Sequence, residues 1–200
     1  STDVWTSLSN QQAPEARGGH TAVWTGNEMI IWGGTNQNGY LNTGSRYSLS
    51  TDKWTPISIR NAPIARFGHT SVWTGRFMVV WGGTDDKIPL NTGSRYNPST
   101  DKWTPVSMTD APEARFGHTS VWTGKFMVVW GGYGQNGVLL RAGNKYDPST
   151  DKWTPLSDTA ISNGQVLHTA IWADTQMFVW GGTSGKKLIN TGNKYTPICE

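Results

Sequence analysis

Four histidines recur at almost equal intervals along the sequence, and their imidazoles are the groups best suited to bind a metal. They are His20, His69, His118 and His168, separated by 49, 49 and 50 residues. Structural zinc takes tetrahedral ligands, whereas four equivalent positions in a ring of repeats lie near one plane. We therefore predict no metal ligands and no cofactor, and expect each histidine to cap a strand or to hydrogen-bond to a neighbouring repeat.

An arginine stands three residues before each of the first three histidines, and a glutamine stands three residues before the fourth. A guanidinium is a planar fork of donors that suits a carboxylate. Two of the arginines are followed by a phenylalanine that could contact a ligand beside them. The predicted ligand-binding residues are Arg17, Arg66, Arg115, Phe67, Phe116 and Gln165. The alternative is that each arginine pairs with a carboxylate or with carbonyl groups of a neighbouring repeat.

Groups for catalysis are sparse in this sequence. Glu15 and Glu113 each lie two residues before an arginine, and such a pair could in principle serve as acid and base beside a sugar. No Ser-His-Asp arrangement, phosphate-binding loop or metal-ligand spacing stands out. The only cysteine is Cys199, which excludes a disulfide within the chain. We predict no catalytic residues and a chain that is not an enzyme.

The charge and hydropathy patterns argue against two classes of partner. Lysine and arginine number 17 against 14 acidic residues, a net charge of +3. The cations recur singly along the repeats instead of forming a run that could follow a phosphate backbone, so no nucleic-acid partner is predicted. No apolar stretch approaches the roughly 20 residues that a membrane helix needs, so no membrane contact is predicted.

The elements that must position these residues are revealed by an internal repeat. The 12 tryptophans fall into three series with the same spacing as the histidines: Trp5, Trp54, Trp103 and Trp153; Trp24, Trp73, Trp122 and Trp172; and Trp32, Trp81, Trp130 and Trp180. A period near 50 implies one supersecondary unit per repeat. The chain is predicted to be a single domain, 1–200, with repeats at about 9–58, 59–107, 108–157, and 158–200 together with 1–8.

Within each repeat, short apolar or alternating runs separated by turn signals predict four antiparallel strands, A to D, and almost no helix. In the second repeat, His69–Thr74 and Phe77–Trp81 form an A–B hairpin that turns at Gly75. Strand B is an unbroken apolar run, typical of a strand covered on both faces. Strand C ends at Tyr96, and the turn-forming residues Asn97–Thr100 lead into strand D. The predicted fold class is all-β.

The repeat resembles the kelch family in a Gly-Gly pair after strand B, a Tyr 13 or 14 residues beyond it, and a Trp seven residues after that Tyr. Three copies have the full pattern, with Tyr47/Trp54, Tyr96/Trp103 and Tyr146/Trp153, whereas Tyr195 has no following Trp. The resemblance implies a β-propeller of four kelch-type, four-stranded blades, with strand A nearest the axis. It also implies that the D–A loops line a mouth of the central channel, where an arginine can meet an acidic partner.

The order of strands suggests how such a propeller is closed. The sequence opens with a strand D, Val4–Leu8, and the last repeat has strands A, B and C up to Tyr195. A terminal strand that completes the last blade removes unpaired edges. We therefore expect closure by the N-terminal strand, either as a four-bladed monomer or as an eight-bladed ring in which two chains exchange these strands. A third possibility is that the sequence is a segment of a longer repeat protein.

The function expected from this architecture is a non-enzymatic binding or assembly module, with a protein segment or a glycan bound at the mouth formed by the D–A and B–C loops. The B–C loops differ most between repeats, and variable loops on a repeated scaffold usually carry specificity. They are 35–40, 84–89, 133–138 and 183–187. Alternatives are a sugar-modifying enzyme of the mutarotase type, which the kelch resemblance admits, and a purely structural scaffold.

Overall fold

A computed structural model describes residues 3–157 and 164–197 of the chain. It is all-β, as predicted. Three sheets have four antiparallel strands each, a fourth sheet has three, and a short hairpin stands apart from them. The helical content of the described residues is a single 3₁₀ turn, Gln135–Gly137. No helix in this part of the chain is long and apolar enough to span a bilayer.

Each of the four larger sheets corresponds to one repeat and is called a blade. Blade 1 contains β1 (Thr21–Trp24), β2 (Glu28–Trp32), the small hairpin of β3 (Thr35–Asn36) and β4 (Gly39–Tyr40), β5 (Gly44–Ser48) and β6 (Lys53–Pro56). Blade 2 contains β7 (Thr70–Trp73), β8 (Met78–Trp81), β9 (Gly93–Asn97) and β10 (Lys102–Pro105). Blade 3 contains β11 (Thr119–Trp122), β12 (Met127–Trp130), β13 (Gly143–Asp147) and β14 (Lys152–Pro155). Blade 4 contains β15 (Thr169–Ala173), β16 (Gln176–Trp180) and β17 (Gly192–Tyr195).

The turns within a blade are formed by glycine, aspartate and asparagine. Gly75 in the A–B hairpin of blade 2 has φ +87°, and Asp174 at the matching place in blade 4 has φ +51°. Both values lie in the region that glycine, and to a lesser degree aspartate, adopts readily. In the C–D turn, the Asn97 side chain accepts a hydrogen bond from the backbone N–H of Ser99 at 3.0 Å. The predicted hairpins therefore follow from local backbone preferences.

The core lies between the blades. Each blade has a leading face, which packs on the preceding blade, and a trailing face, which packs on the following one. Ile30 and Trp32 on the trailing face of blade 1 pack against Met78 and Tyr96 on the leading face of blade 2. Equivalent clusters join blades 2 and 3 and blades 3 and 4. Because strand B contributes alternate residues to both faces, it is apolar along its whole length.

The first strands of the blades pack side by side in chain order, β1 on β7, β7 on β11 and β11 on β15. Within the described residues no packing of this extent joins β15 to β1, so this part of the chain does not show the series of blades as a closed ring. Residues 3–8 form no strand, and Trp5 is fully exposed. The expected pairing of this segment with the last blade is thus not seen in the single chain, and closure stays a prediction.

Candidate functional site

The D–A and B–C loops meet at one edge of the blades, called the mouth edge. In blade 2, the backbone of Phe67 exchanges two hydrogen bonds with that of Thr84, at 3.0 and 2.9 Å. In blade 3, Phe116 and Tyr133 form the same pair of bonds, also at 3.0 and 2.9 Å. These bridges fix each D–A loop against the B–C loop of its own blade. The A–B and C–D turns lie at the opposite edge, because the strands are antiparallel.

Four aromatic side chains line a groove at the mouth edge. Tyr40, from the B–C loop of blade 1, stacks on Phe67 of blade 2 with ring centroids 6.0 Å apart and an interplanar angle of 22°. Phe116 and Tyr133 of blade 3 form a second pair at 5.4 Å. The groove between and around these pairs has a volume of about 500 Å³. All four rings are partly exposed, so they offer apolar faces to a ligand.

The position of the Phe67 ring is set by a glycine of the preceding blade. A Cβ built on Gly19 would lie 2.1 Å from the ring, so Phe67 fits only because Gly19 has no side chain. Gly68 lies beside Phe116 in the same way, but the contact is looser, because a Cβ built on Gly68 would lie 3.4 Å from the Phe116 Cβ. At the place of these phenylalanines, blade 1 has Gly18 and blade 4 has Val166. The aromatic groove therefore belongs to the middle of the blade series.

The groove carries few charges, and they come from the B–C loop of blade 2. Asp85 accepts hydrogen bonds from the backbone N–H groups of Lys87 and Ile88, at 3.2 and 3.1 Å, and these bonds lower the pKa of its carboxyl group. Asp86 and Lys87 are exposed on the groove wall. Partial burial, together with Asp86, raises the pKa of the Tyr40 hydroxyl. The groove is mainly apolar and holds one exposed charge of each sign.

The structure places two of the predicted arginines inside the scaffold. Arg66 and Arg115 are each only 1% exposed. Arg66 donates through Nη1 to the carbonyl oxygens of Gly82 and Thr92, at 2.8 and 2.7 Å, and through Nε to that of Ile64 at 3.1 Å. With its donors engaged in this way, the guanidinium cannot reach a ligand without leaving these carbonyls. The geometry corresponds to the alternative in which the arginines bind carbonyl groups, although those groups belong to the same blade.

Arg115 is held in the same manner, with Nη1 donating to the carbonyl oxygens of Gly131 and Ala142 at 3.0 and 2.7 Å. Burial lowers the pKa of both Arg66 and Arg115 to about 10. Arg17 makes similar contacts in blade 1, including 2.8 Å to the Thr43 carbonyl oxygen, but it is partly exposed. Gln165, 4% exposed, replaces the arginine in blade 4 and donates to the Gly181 carbonyl oxygen at 3.4 Å.

Three of the four histidines lie in the blade junctions and hydrogen-bond across them. His69, His118 and His168 are each 5% exposed. Their Nε2 atoms lie 3.0, 2.8 and 2.8 Å from the Oγ1 atom of a threonine on the preceding blade, Thr21, Thr70 and Thr119 respectively. Burial lowers the pKa of His69 to about 3 and that of His168 to about 4. No group of three or more metal-binding side chains occurs among the described residues.

The sequence-based site is therefore brought together only in part. Phe67 and Phe116 line the groove, whereas Arg66, Arg115 and Gln165 are buried and hydrogen-bond to backbone carbonyl groups. Tyr40 and Tyr133 are not among the predicted ligand-binding residues, although both lie in the B–C loops expected to carry specificity. The sequence signal that could have identified these tyrosines is an aromatic residue in a B–C loop, combined with an aromatic residue in a D–A loop.

Comparison with known families agrees with this architecture. The family model described as Attractin/LZTR1 beta-propeller matches residues 1–191, which is nearly the whole chain. No curated protein matches the chain.

Proposed function

Because the chain belongs to the Attractin/LZTR1 β-propeller family, we propose that it is a non-enzymatic binding module that holds a segment of another protein at the mouth edge. The observation that supports this most directly is the aromatic groove formed by Tyr40, Phe67, Phe116 and Tyr133. We also assign the blades to the kelch type, on the Gly-Gly, Tyr and Trp spacing of the repeats.

The shape of the groove favours an extended segment with an apolar or aromatic side chain. The two aromatic pairs come from three successive blades, so a ligand that contacts both pairs must run across the blade series. Partly exposed aromatic rings contribute large contact area at low cost in conformational entropy. Because Arg66 and Arg115 are buried, the described residues that line the groove hold no cluster of cations for an acidic partner. We infer a segment with little net charge.

The arrangement of polar groups supports binding over catalysis. Arg115 donates to the backbone carbonyl oxygen of Glu113 at 2.9 Å, so its contact there is with the main chain. The Glu15 carboxylate accepts a hydrogen bond from the Asn36 amide at 2.8 Å. These two glutamates were the candidates for an acid and a base, and neither carboxylate pairs with an arginine through a hydrogen bond in these contacts.

A glycan is the second candidate ligand, and the stacked geometry of Tyr40 on Phe67 favours it, because the faces of sugar rings also pack on aromatic rings. The test is to probe peptide and glycan arrays with the wild-type chain and with the double variant Phe67→Ala, Phe116→Ala. Lys125→Ala, at the opposite edge, is the matched control. Peptide binding that only the double variant loses supports the proposal. Binding of glycans alone supports the second candidate, and binding that survives in the double variant contradicts a site at the mouth edge.

A further inference from the structure

A second groove lies at the edge opposite the mouth edge, between blades 2 and 3. Its lining comes from the A–B turns of both blades, from the C–D turn of blade 3, and from β9 and β10 of blade 2. Its volume is about 600 Å³. Blades 2 and 3 each have four strands, so both walls of this groove are formed by complete blades. We call it the basic groove, after the residues Arg76, Arg95 and Lys125 in its lining.

The net charge of the basic groove is positive. Its three cations stand against one acidic residue, Asp147, which leaves a net charge of +2 among the lining residues. The Asp147 carboxylate already accepts hydrogen bonds from the backbone N–H and the hydroxyl group of Ser149, at 2.8 and 2.6 Å. Arg76 and Lys125 are 49 residues apart, at the same place in successive repeats. The repeat therefore brings together cations that stand singly in the sequence.

Phenylalanine rings hold these cations at the groove. The Cζ atoms of Arg76 and Arg95 lie 4.9 and 5.8 Å from the centroid of the Phe77 ring. In blade 3, the Lys125 Nζ lies 4.8 Å from the centroid of the Phe126 ring. An aromatic face attracts a cation within about 6 Å. Phe77 itself packs on the hydrophobic cluster between blades 2 and 3, so the two guanidinium groups are positioned by a ring that is anchored in the core.

The charges of Arg76 and Lys125 are accessible to a partner. Both residues are exposed, and no described carboxylate forms an ion pair with either of them. The Arg95 side chain is only 17% exposed, and its Nη1 donates to the Pro148 carbonyl oxygen of blade 3 at 2.8 Å. Its Nη2 lies 4.0 Å from the Asp151 carboxylate. Arg95 therefore fixes one wall of the groove, whereas Arg76 and Lys125 are the groups that can bind a ligand.

The corresponding place between blades 1 and 2 has a different chemistry. Blade 1 has Asn27 and Glu28 where blade 2 has Arg76 and Phe77. The Glu28 carboxylate forms an ion pair with Arg46, the third-strand arginine of blade 1, at 3.5 Å. Blade 1 thus supplies a carboxylate for its own arginine. In blade 2 an aromatic ring stands at the place of that carboxylate, and a second cation is added beside it, so the acidic group is left for a partner to supply.

We propose that the basic groove binds an acidic segment of a partner protein, with its carboxylates on Arg76 and Lys125. A guanidinium forms paired hydrogen bonds with a carboxylate, and an ammonium group binds one as a point charge. Trp122, which is partly exposed in the lining, offers an apolar face to a side chain beside these carboxylates. The segment therefore combines acidic residues with an apolar neighbour.

An acidic protein segment fits the basic groove better than a polyanion does. A sulfated polysaccharide or a nucleic acid carries charge on nearly every unit and binds along an extended track of cations. The described lining of the basic groove holds three cations, and Asp147 stands among them. A segment with two acidic side chains matches the net charge of this lining. Such a partner differs from the one proposed for the mouth edge, so this inference does not rest on the proposed function.

The test measures the affinity of the full-length chain for two matched peptide libraries by fluorescence anisotropy. One library carries Glu-Glu pairs among varied residues, and the other carries Gln-Gln pairs at the same places. We expect the wild type to bind peptides of the Glu-Glu library, with an affinity that falls as salt is raised, because exposed charges are screened. The double variant Arg76→Asn, Lys125→Asn should bind these peptides more than about tenfold more weakly, since two charge-assisted contacts are lost. Asparagine is the residue that blade 1 has at this place.

The matched control is the double variant Lys53→Asn, Lys186→Asn, which removes the same charge from exposed positions outside the basic groove. It should change the affinity by less than about twofold. Both double variants should keep the wild-type melting temperature, since all four positions are exposed, so that weaker binding does not reflect a lost fold.

Three results would overturn the proposal: equal weakening in the two double variants, equal binding of the two libraries, or a wild-type chain that binds a sulfated polysaccharide but no Glu-Glu peptide. The two binding surfaces are tested separately. Phe67→Ala, Phe116→Ala should still bind the Glu-Glu peptides, whereas Lys125→Ala should weaken only these and keep the peptides of little net charge that bind at the mouth edge. Failure at the basic groove therefore leaves the proposed function standing.

Discussion

At the scale of single residues, the junction histidines combine a packing role with a titratable group. His118 stands edge-on to the ring of Trp81, with centroids 5.4 Å apart, and reaches Thr70 across the junction. Burial, followed by the nearby charge of Arg115, lowers its pKa well below the ordinary value of 6.5. His69 and His168 are lowered in the same direction. The native blades therefore contain neutral imidazoles.

This state makes the stability of the fold depend on pH. Because the pKa of each buried imidazole is lower in the folded chain than in the unfolded chain, the unfolded chain binds protons first as the pH falls. The free energy of unfolding is therefore highest above about pH 6.5, and below that pH it falls by about 1.4 kcal/mol per pH unit for each histidine. Urea unfolding between pH 4.5 and 7.5 should show this slope, and His118→Gln should reduce it. An unchanged slope in that variant would contradict the assignment.

The buried arginines should contribute to the stability of the fold. Arg66→Ala removes the donors of four hydrogen bonds and leaves the buried carbonyl group of Gly82 without this partner. Loss of bonds from a charged donor, with an acceptor left buried, should lower the free energy of unfolding by at least about 3 kcal/mol. Arg17→Ala is the matched control, since its partly exposed guanidinium makes the same kind of contacts. If chemical denaturation showed that Arg66→Ala and Arg17→Ala lose the same free energy of unfolding, burial of the guanidinium would not be the cause of the loss.

At the scale of elements, the Gly-Gly pair after strand B is explained by the two D–A loops that approach it. Gly82 has φ +69°, and a Cβ there would lie 2.6 Å from His118 and 2.9 Å from the Arg115 carbonyl oxygen. Gly83 would clash with the Phe67 carbonyl oxygen at 2.8 Å. Gly82 therefore allows the D–A loop of the next blade to approach the backbone closely, and Gly83 does the same for the D–A loop of its own blade.

Alanine substitutions separate backbone strain from this close approach. Gly75→Ala adds only strain, because Gly75 has φ +87° and open space around it, and should cost about 1–2 kcal/mol. Gly82→Ala adds overpacking against two atoms of the next blade and should cost about 1–3 kcal/mol more. Free energies of unfolding from urea titrations measure the difference. If the two variants were equally stable, the glycine pair would have to be explained by backbone conformation alone.

The sequence predicts the strands and turns well, because they depend on local backbone preferences and on a hydrophobic pattern that is repeated in each blade. The hairpin turn at Gly75 and the apolar run of strand B are both present as expected. The burial of Arg66 was not predictable in the same way, because it depends on carbonyl groups 16 and 26 residues away. The contact between Tyr40 and Phe67 joins loops of two blades, and the B–C loops differ too much between repeats to reveal such a pairing.

At the scale of the whole molecule, blades stack in one direction and each complete junction resembles the next. Stability in such an array is approximately a sum of blade terms and nearest-neighbour interface terms. The two outer surfaces are the exception, because Trp180 on one and Trp24 on the other are exposed. Trp5 is exposed as well, so these three tryptophans differ from those in the junctions, because no described blade or strand packs against their rings.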